Sequence, residues 1–327
     1  MKKTLLLFSS CIILAFGCNK SKITEEAAPS TPEGDAIEAP LGERQCGTQE
    51  VLQRLLAEDP TLAERMNQVE NFTAGFERDP SAYRLVNGVI EIPVVVNVLY
   101  KTSSQNISDA QIASQITVLN NDFQATNSDY NQTPSLFQSV RSGNFNVRFV
   151  LDKVVRRSTS KSSWGTNDAM KKAANGIVPT SPTTKLNLWC CNLSGGILGY
   201  AQFPGGPSST DGVVIDDNAF GSTGTVQAPY NKGRTATHEV GHWLNLRHIW
   251  GDANCGNDLV NDTPTQQTAN FGCPSFPHRT CNNNADMSMN YMDYTDDACM
   301  YMFSVGQKTR AQALFAAGGA RNSFAQP

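Results

Sequence analysis

The sequence predicts a mixed α/β fold, an α+β arrangement in which a twisted mixed sheet packs around a central helix. Apolar, β-branched runs alternate with an amphipathic helical pattern across residues 89–246. The central helix is the last element of this part, at residues 234–246. A long irregular stretch containing four cysteines then precedes a final helix near the C-terminus. Because neither an internal repeat nor a second domain is evident, we expect one main domain over residues 84–327.

Each element follows from a local pattern. Residues 89–100 (VIEIPVVVNVLY) are apolar and β-branched, as in a buried strand. Ser108 opens a capping-box-like start of a helix whose apolar positions are spaced four, three and four residues apart. Residues 145–151 alternate as a half-buried strand does. Further strands are predicted at residues 185–192, 199–203 and 212–215, and the final helix from about Ser304 through Leu314.

The N-terminus predicts export. Lys2 and Lys3 precede an apolar run at residues 4–16, which is shorter than the ~20 residues of a spanning helix. Residues 14–18 (LAFGC) resemble a lipobox, which predicts a signal peptide over residues 1–17 and lipidation of Cys18. Phe16 is bulky for that motif, so plain secretion stays open. We expect a lipoprotein of the cell envelope, in the outer membrane or on the surface, or a protein secreted after maturation.

Two further segments precede the main domain. Residues 18–45 are rich in Lys, Glu, Ala, Pro and Ser and predict a disordered tether. Residues 46–83 predict a short helical region, with apolar residues at 51, 52, 55 and 56. The formal net charge of −4 over 327 residues gives no reason to expect a nucleic-acid partner, and it leaves the lipid as the only predicted membrane contact.

Cysteine usage fits an oxidising compartment. Of nine cysteines, Cys11 lies in the predicted signal peptide, Cys18 is the predicted lipidation site, and four of the other seven lie in residues 255–299. Those four predict two disulfides, with three connectivities open. The adjacent Cys190 and Cys191 are expected on opposite faces of a strand, with no chemical role.

The run from His238 to His248 (HEVGHWLNLRH) predicts a zinc site. On a helix, His238 and His242 share a face, and Glu239 lies beside them. His248 can complete a three-histidine set if the helix breaks at Asn245, a residue type that tolerates positive φ. A thermolysin-like enzyme, with a glutamate as third ligand, is the alternative within peptidases, and His248 argues against it. Nothing resembles a competing serine or cysteine triad, and His278, the remaining histidine, is expected to be structural.

With these residues in view, the sequence resembles the pappalysin family of metzincin zinc peptidases, in its small bacterial branch typified by ulilysin. Residues 290–294 (NYMDY) resemble the Met-turn, which implies that Met292 lies beneath the zinc ligands and that Tyr294 donates to the oxyanion. Residues 44–48 (RQCGT) resemble a latency motif, which implies that Cys46 holds the zinc in a zymogen whose pro-region is 46–83.

The resemblance implies further sites. Residues 195–203 resemble the edge strand above a peptidase cleft, so Gly199, Tyr200 and Ala201 are expected to bind substrate. It implies the disulfides Cys255–Cys281 and Cys273–Cys299. It also supports structural calcium in an oxygen-rich loop, although a solvated turn has the same composition. The expected calcium ligands are Asp252, Asp258, Val260, Asp262 and Thr263.

The expected reaction is peptide-bond hydrolysis by a zinc endopeptidase that uses Zn²⁺ and carries structural Ca²⁺. Glu239 is predicted to be the general base, and Asp296 and Asp297 are predicted to select Arg or Lys after the scissile bond. Self-cleavage before Arg78 or Arg84 would remove Cys46. Protein or peptide substrates and a monomeric state are expected. A catalytically inactive lipoprotein that uses the zinc fold for binding or adhesion is the alternative, and the intact Glu239 disfavours it.

Overall fold

A five-stranded mixed sheet forms the centre of the computed structural model, which describes residues 42–82 and 88–325. The spatial order is β2-β1-β3-β5-β4, and all neighbours are parallel except the antiparallel pair β4 and β5. This confirms the predicted mixed sheet. The strands are β1 (Ile90–Tyr100), β2 (Val147–Ser158), β3 (Leu186–Cys191), β4 (Gly199–Ala201) and β5 (Val213–Asp216).

Among the described residues, two α-helices precede the sheet and three follow its first strand. They are α1 (Thr48–Glu58), α2 (Leu62–Arg78), α3 (Asp109–Phe123), α4 (Arg234–Trp243) and α5 (Val305–Ala313). The hydroxyl of Ser108 accepts from the N–H of Gln111 and caps α3, whereas Ser304 and Gln307 form a complete capping box at α5. A small parallel pair, β6 (Phe271–Gly272) and β7 (Tyr294–Thr295), joins the irregular C-terminal region to the Met-turn segment.

Alternating side chains of β3 supply both faces of the sheet. Leu188 and Cys190 lie in the core that includes α3 and α4, whereas Trp189 and Cys191 pack with Val51 of α1. Both cysteines are fully buried and burial raises the pKa of each thiol well above its usual value. The N-terminal helices are therefore part of the packing around the sheet.

Several predicted bounds were wrong. β2 continues seven residues past Leu151. The predicted strand was too short because this last part carries charged, largely exposed side chains, which suit a strand at the edge of a sheet. The helix predicted at 234–246 ends at Trp243, and the strand predicted at 199–203 ends at Ala201. The single helical region predicted at 46–83 is two helices, with a turn after Glu58.

Within residues 42–82 and 88–325, no helix is both long and apolar enough to cross a membrane. The predicted signal peptide, Cys18, nearly all of the tether and the cleavage position before Arg84 lie outside these residues.

Candidate active site

Helix α4 and the segment that follows it bring three imidazoles to one point. The Nε2 atom of His242 lies 3.2 Å from Nε2 of His238 and 3.1 Å from Nε2 of His248. His248 reaches this point because the chain reverses at Asn245, which has φ 68°. There the N–H of Leu246 donates to the carbonyl of Gly241 and the N–H of Asn245 to that of His242, which closes the helix end. The separations fit three nitrogens around one tetrahedral zinc ion.

The other ring nitrogens are fixed by oxygen acceptors. Nδ1 of His238 lies 2.7 Å from the carbonyl of Tyr291, and Nδ1 of His242 lies 2.8 Å from that of Leu246. Nδ1 of His248 lies 2.5 Å from Oδ1 of Asp252. These contacts leave the Nε2 lone pairs directed at the common point, as metal ligation requires. Burial, followed by the neighbouring imidazoles, lowers the pKa of both His238 and His242, which favours the neutral ring.

Cys46 supplies a fourth ligand atom to the same group. Its Sγ and one nitrogen of each histidine lie within 4.8 Å of one another. The segment around it lies along β4: the N–H of Gly47 donates to the carbonyl of Gly199 and the N–H of Leu198 to that of Gln45, in parallel pairing. A set of three histidines and one cysteine suits zinc, since a thiolate and imidazoles are its preferred ligands.

Glu239 is buried beside the four ligand atoms. Its Oε2 accepts from the hydroxyl of Thr48 at 3.0 Å and from Sγ of Cys46 at 3.4 Å. Burial raises the pKa of the carboxyl to about 7, although these hydrogen bonds oppose the shift. Gly199 of β4 passes so close that a Cβ there would lie 2.9 Å from Cγ of Glu239. The carboxyl is thus confined to the space between the histidines and the edge strand.

Met292 and Tyr294 complete the walls of the site. Sδ of Met292 packs against Gly241, where a Cβ would approach it to 2.4 Å, so the glycine is required for this contact. The Tyr294 ring centroid lies 5.0 Å from that of His248. Burial, and then the charges of Cys46 and Glu239, raise the pKa of the phenol, whose hydrogen bond with the backbone of Cys46 acts in the opposite direction. The phenol therefore stays protonated and able to donate.

Comparison with known proteins agrees with this geometry. Residues 191–316 match the family model for pregnancy-associated plasma protein-A, a peptidase family. An extracellular metalloprotease of Pyricularia oryzae is 36% identical over 230 residues, which cover 68% of this chain and 72% of that protein. The chain belongs to the pappalysin family. It is a zinc metalloendopeptidase by that membership.

Two solved structures extend the likeness. Mature mirolysin of Tannerella forsythia, in complex with a cleaved peptide, is 46% identical, with a TM-score of 0.71 over 73% of this chain and 96% of that one. A promirolysin variant of the same organism is 42% identical, with a TM-score of 0.78 over 86% of this chain and 97% of that one. The match to the precursor form covers more of this chain than the match to the mature form does.

Of the two predicted specificity residues, only Asp297 makes a buried ion pair. Its Oδ1 lies 2.6 Å from Nη2 of Arg44, and both side chains are almost wholly buried. Arg44 also donates to the carbonyl of Thr295 and stacks over Tyr230 at 4.8 Å. Asp296 is partly exposed instead. The sequence did not predict the pairing of Arg44 with Asp297, because the two residues lie 253 positions apart. It did not predict the contact of Thr48 with Glu239 for the same reason.

Two of the five expected calcium ligands are engaged elsewhere in this pappalysin. Asp252 orients His248, and Asp262 accepts from the hydroxyl of Ser304 and the N–H of Gly306 at the start of α5. The other three form a group: the Thr263 hydroxyl lies 2.8 Å from Oδ2 of Asp258 and 2.9 Å from the carbonyl of Val260. Burial raises the pKa of Asp258 to about 7, against its hydrogen bonds.

The irregular C-terminal region carries two disulfides, between Cys255 and Cys281 and between Cys273 and Cys299. This is the pairing that the family resemblance implies. His278 lies 2.9 Å from Asp286 and far in sequence from the zinc group, consistent with a structural contact.

Proposed function

We propose that this pappalysin is an exported endopeptidase, made as a Cys46-latent zymogen, that cleaves peptide bonds before Arg or Lys with Glu239 as general base. The observation that carries the proposal is the convergence of His238, His242, His248 and Cys46 beside the buried Glu239 carboxyl.

Each side chain of the site has its own role in the proposed catalytic step. The three histidines would hold the zinc, which would supply a Lewis acid able to lower the pKa of water and polarise a carbonyl. Glu239 takes the proton of the attacking water and delivers it to the leaving amine nitrogen. Tyr294 donates a hydrogen bond to the oxygen where negative charge develops. The phenol lies against the Cys46 backbone in the zymogen, and burial raises its pKa so that it keeps the proton it would donate, which supports this role.

The proposed latency rests on residues 44–48, which contact the histidine group, Glu239 and Asp297. Cys46 takes the fourth ligand position, Thr48 holds Glu239 and the N–H of Ala201, and Arg44 fills the space beside Asp297. We keep the domain division proposed from sequence: signal peptide 1–17, tether 18–45, pro-region 46–83 and catalytic domain 84–327. Arg44 and Gln45 of the tether contact the catalytic domain. Self-cleavage before Arg78 or Arg84 would release the segment.

Removing the thiol should shorten the latent phase. We expect the precursor with Cys46→Ala to begin hydrolysing casein earlier than the wild-type precursor, because water can then reach the fourth ligand position. Arg44 and Thr48 still bind, so a residual lag is expected. The lag is read from a fluorogenic casein time course, with the exposed α1 variant Gln53→Ala as control. Equal lags for Cys46→Ala and wild type would refute the switch.

Calcium should stabilise the fold through the group around Asp258. Burial raises the pKa of the Asp258 carboxyl, and a bound cation would favour its charged form again. With zinc kept bound, saturating calcium should raise Tm by about 5–10 °C through mass action. Asp258→Asn should abolish that rise, whereas the exposed Asp152→Asn should keep it. A Tm indifferent to calcium would rule the site out.

The cellular setting is proposed from the N-terminal sequence and the relatives. The lipobox-like residues 14–18 support attachment through Cys18 to the outer membrane or cell surface, and release after maturation remains part of the proposal. The relatives' description as extracellular metalloproteases supports export. Substrates are proteins or peptides, and a monomer is proposed. Mass spectrometry of the purified precursor for a diacyl or triacyl Cys18 tests the anchor.

A further inference from the structure

Two arginines of the catalytic domain hold a carboxylate of the pro-region. Arg310 on α5 contacts both carboxylate oxygens of Glu70 on α2, with Nη2 2.6 Å from Oε1. Arg247, which lies between the zinc ligands His242 and His248 in sequence, places its Nη2 3.3 Å from the same Oε1. Glu70 thus bridges α2 to the segment that carries the third histidine.

The arginines are fixed by the catalytic domain itself. Nε of Arg310 donates to the carbonyl of Asn245 at 2.8 Å, and the side chain is only 2% exposed. Arg247 lies over the ring of Phe203 at 5.7 Å, and its buried Nε has no hydrogen-bond partner among the described residues. Because these contacts do not involve α2, the pair stays positioned for a carboxylate when α2 is absent.

The two-arginine site adjoins the histidine group through Phe203. Phe203, under Arg247, has its ring 5.4 Å from that of His242. The pro-region runs from Arg44 at Asp297, past Cys46 at the histidines, along α1 beside β4, and then to Glu70. If Asp297 receives the residue after the scissile bond, the two arginines face the part of the substrate before that bond.

The pro-region covers this surface in the zymogen. Val51 and Leu52 of α1 and Met66 of α2 line a small cavity with Ala201 and Phe203. Other carboxyls within electrostatic reach of Arg310 are Glu77, which leaves with α2, and Asp258 of the proposed calcium group. Loss of residues 46–83 therefore removes the carboxylate that both arginines bind and uncovers Phe203.

We propose that Arg247 and Arg310 form a subsite of the mature enzyme for an acidic side chain, Glu or Asp, located N-terminal to the scissile bond. The Phe203 ring lies 5.4 Å from the His242 ring and 5.7 Å from the Arg247 guanidinium. The guanidinium is therefore at most about 11 Å from the His242 ring, within the reach of about three residues of extended peptide. The proposal rests on the maturation step proposed above. The preferred substrate then carries an acidic residue before the scissile bond and a basic residue after it.

The test measures binding separately from turnover. Two labelled peptides carry Arg after a reduced, uncleavable scissile bond and either Glu or Gln three residues before it. Fluorescence anisotropy with mature enzyme, from which an added protease has removed the pro-region, should give about tenfold tighter binding of the Glu peptide. Arg247→Gln should remove that preference. Arg148→Gln, the same change at an exposed residue of the outermost strand β2, should keep it. Equal affinities in wild type, or a preference that survives Arg247→Gln, would overturn the subsite.

A measurement on the inert zymogen does not require maturation. In a Glu239→Ala background, Glu70→Gln and Arg247→Gln should each lower Tm, and the double variant should lower it no further than the larger single effect. Additive shifts would show that Arg247 does not recognise the carboxylate. Casein hydrolysis by the mature preparation reports the proposed proteolysis independently: inactivity towards casein with an intact Glu preference would contradict the proposed function and leave the subsite standing.

Discussion

Replacing Glu239 with alanine is expected to lower kcat by roughly 10³-fold, because a positioned general base contributes factors of this size. The histidine nitrogens and their oxygen acceptors do not involve Glu239, so the variant should keep its zinc and its fold. Peptide hydrolysis by the mature form, zinc content and Tm are the measurements.

The matched control is Glu91→Ala, an exposed glutamate of β1 that pairs with Arg148. Its kcat should equal that of wild type. Because Glu239→Ala cannot process its own precursor, wild-type enzyme is added in trace amount to remove the pro-region and is then separated. Near-normal hydrolysis by folded, zinc-loaded Glu239→Ala would disprove the assignment of the base.

Asp297→Asn is expected to reduce kcat/KM for substrates with Arg after the scissile bond by about 30-fold. A hydrogen bond between charged groups contributes about 1.5–3 kcal/mol, and the asparagine keeps the shape of the side chain while losing its charge. Arg44 of the pro-region supports the assignment, since its guanidinium already pairs with this carboxylate in a buried setting. Most of the loss should appear in KM.

Asp296→Asn is the matched control, since Asp296 is partly exposed and its side chain does not pair with Arg44. It should change kcat/KM for Arg substrates little. Sequencing the new N-termini from a digested peptide library reads the preference directly: Arg and Lys should dominate the first position in wild type and decline in Asp297→Asn. Apolar first residues in the wild-type digest would contradict the basic pocket.

The local part of the site could be predicted from sequence. The spacing of four residues places His238 and His242 on one face of a helix, whether or not that face is buried. Asn245 is suited to the positive φ that the helix end needs. The buried strand at 89–100 was predicted because its apolar run is continuous, and the structure gives Ile90–Tyr100.

Long-range contacts could not be predicted. Neither Arg44 nor Glu70 belongs to a periodic pattern. Arg44 meets Asp297 253 residues later, and Glu70 meets Arg310 240 residues later. The calcium prediction shows the same limit: Asp252 and Asp262 share the acidic composition of the loop, yet one orients His248 and the other caps α5. Composition indicates that oxygen ligands are present, whereas the turns of the chain decide which carboxylates converge.

Zinc content measured together with casein hydrolysis tests the central claim most directly. We expect one zinc per chain in the mature enzyme, complete loss of hydrolysis when a chelator removes it, and recovery when zinc is restored. His248→Ala should lose both zinc and activity, because a third ligand is needed beside His238 and His242. Full hydrolysis by the metal-free protein, or unchanged zinc affinity in His248→Ala, would contradict a metal centre built from these three histidines.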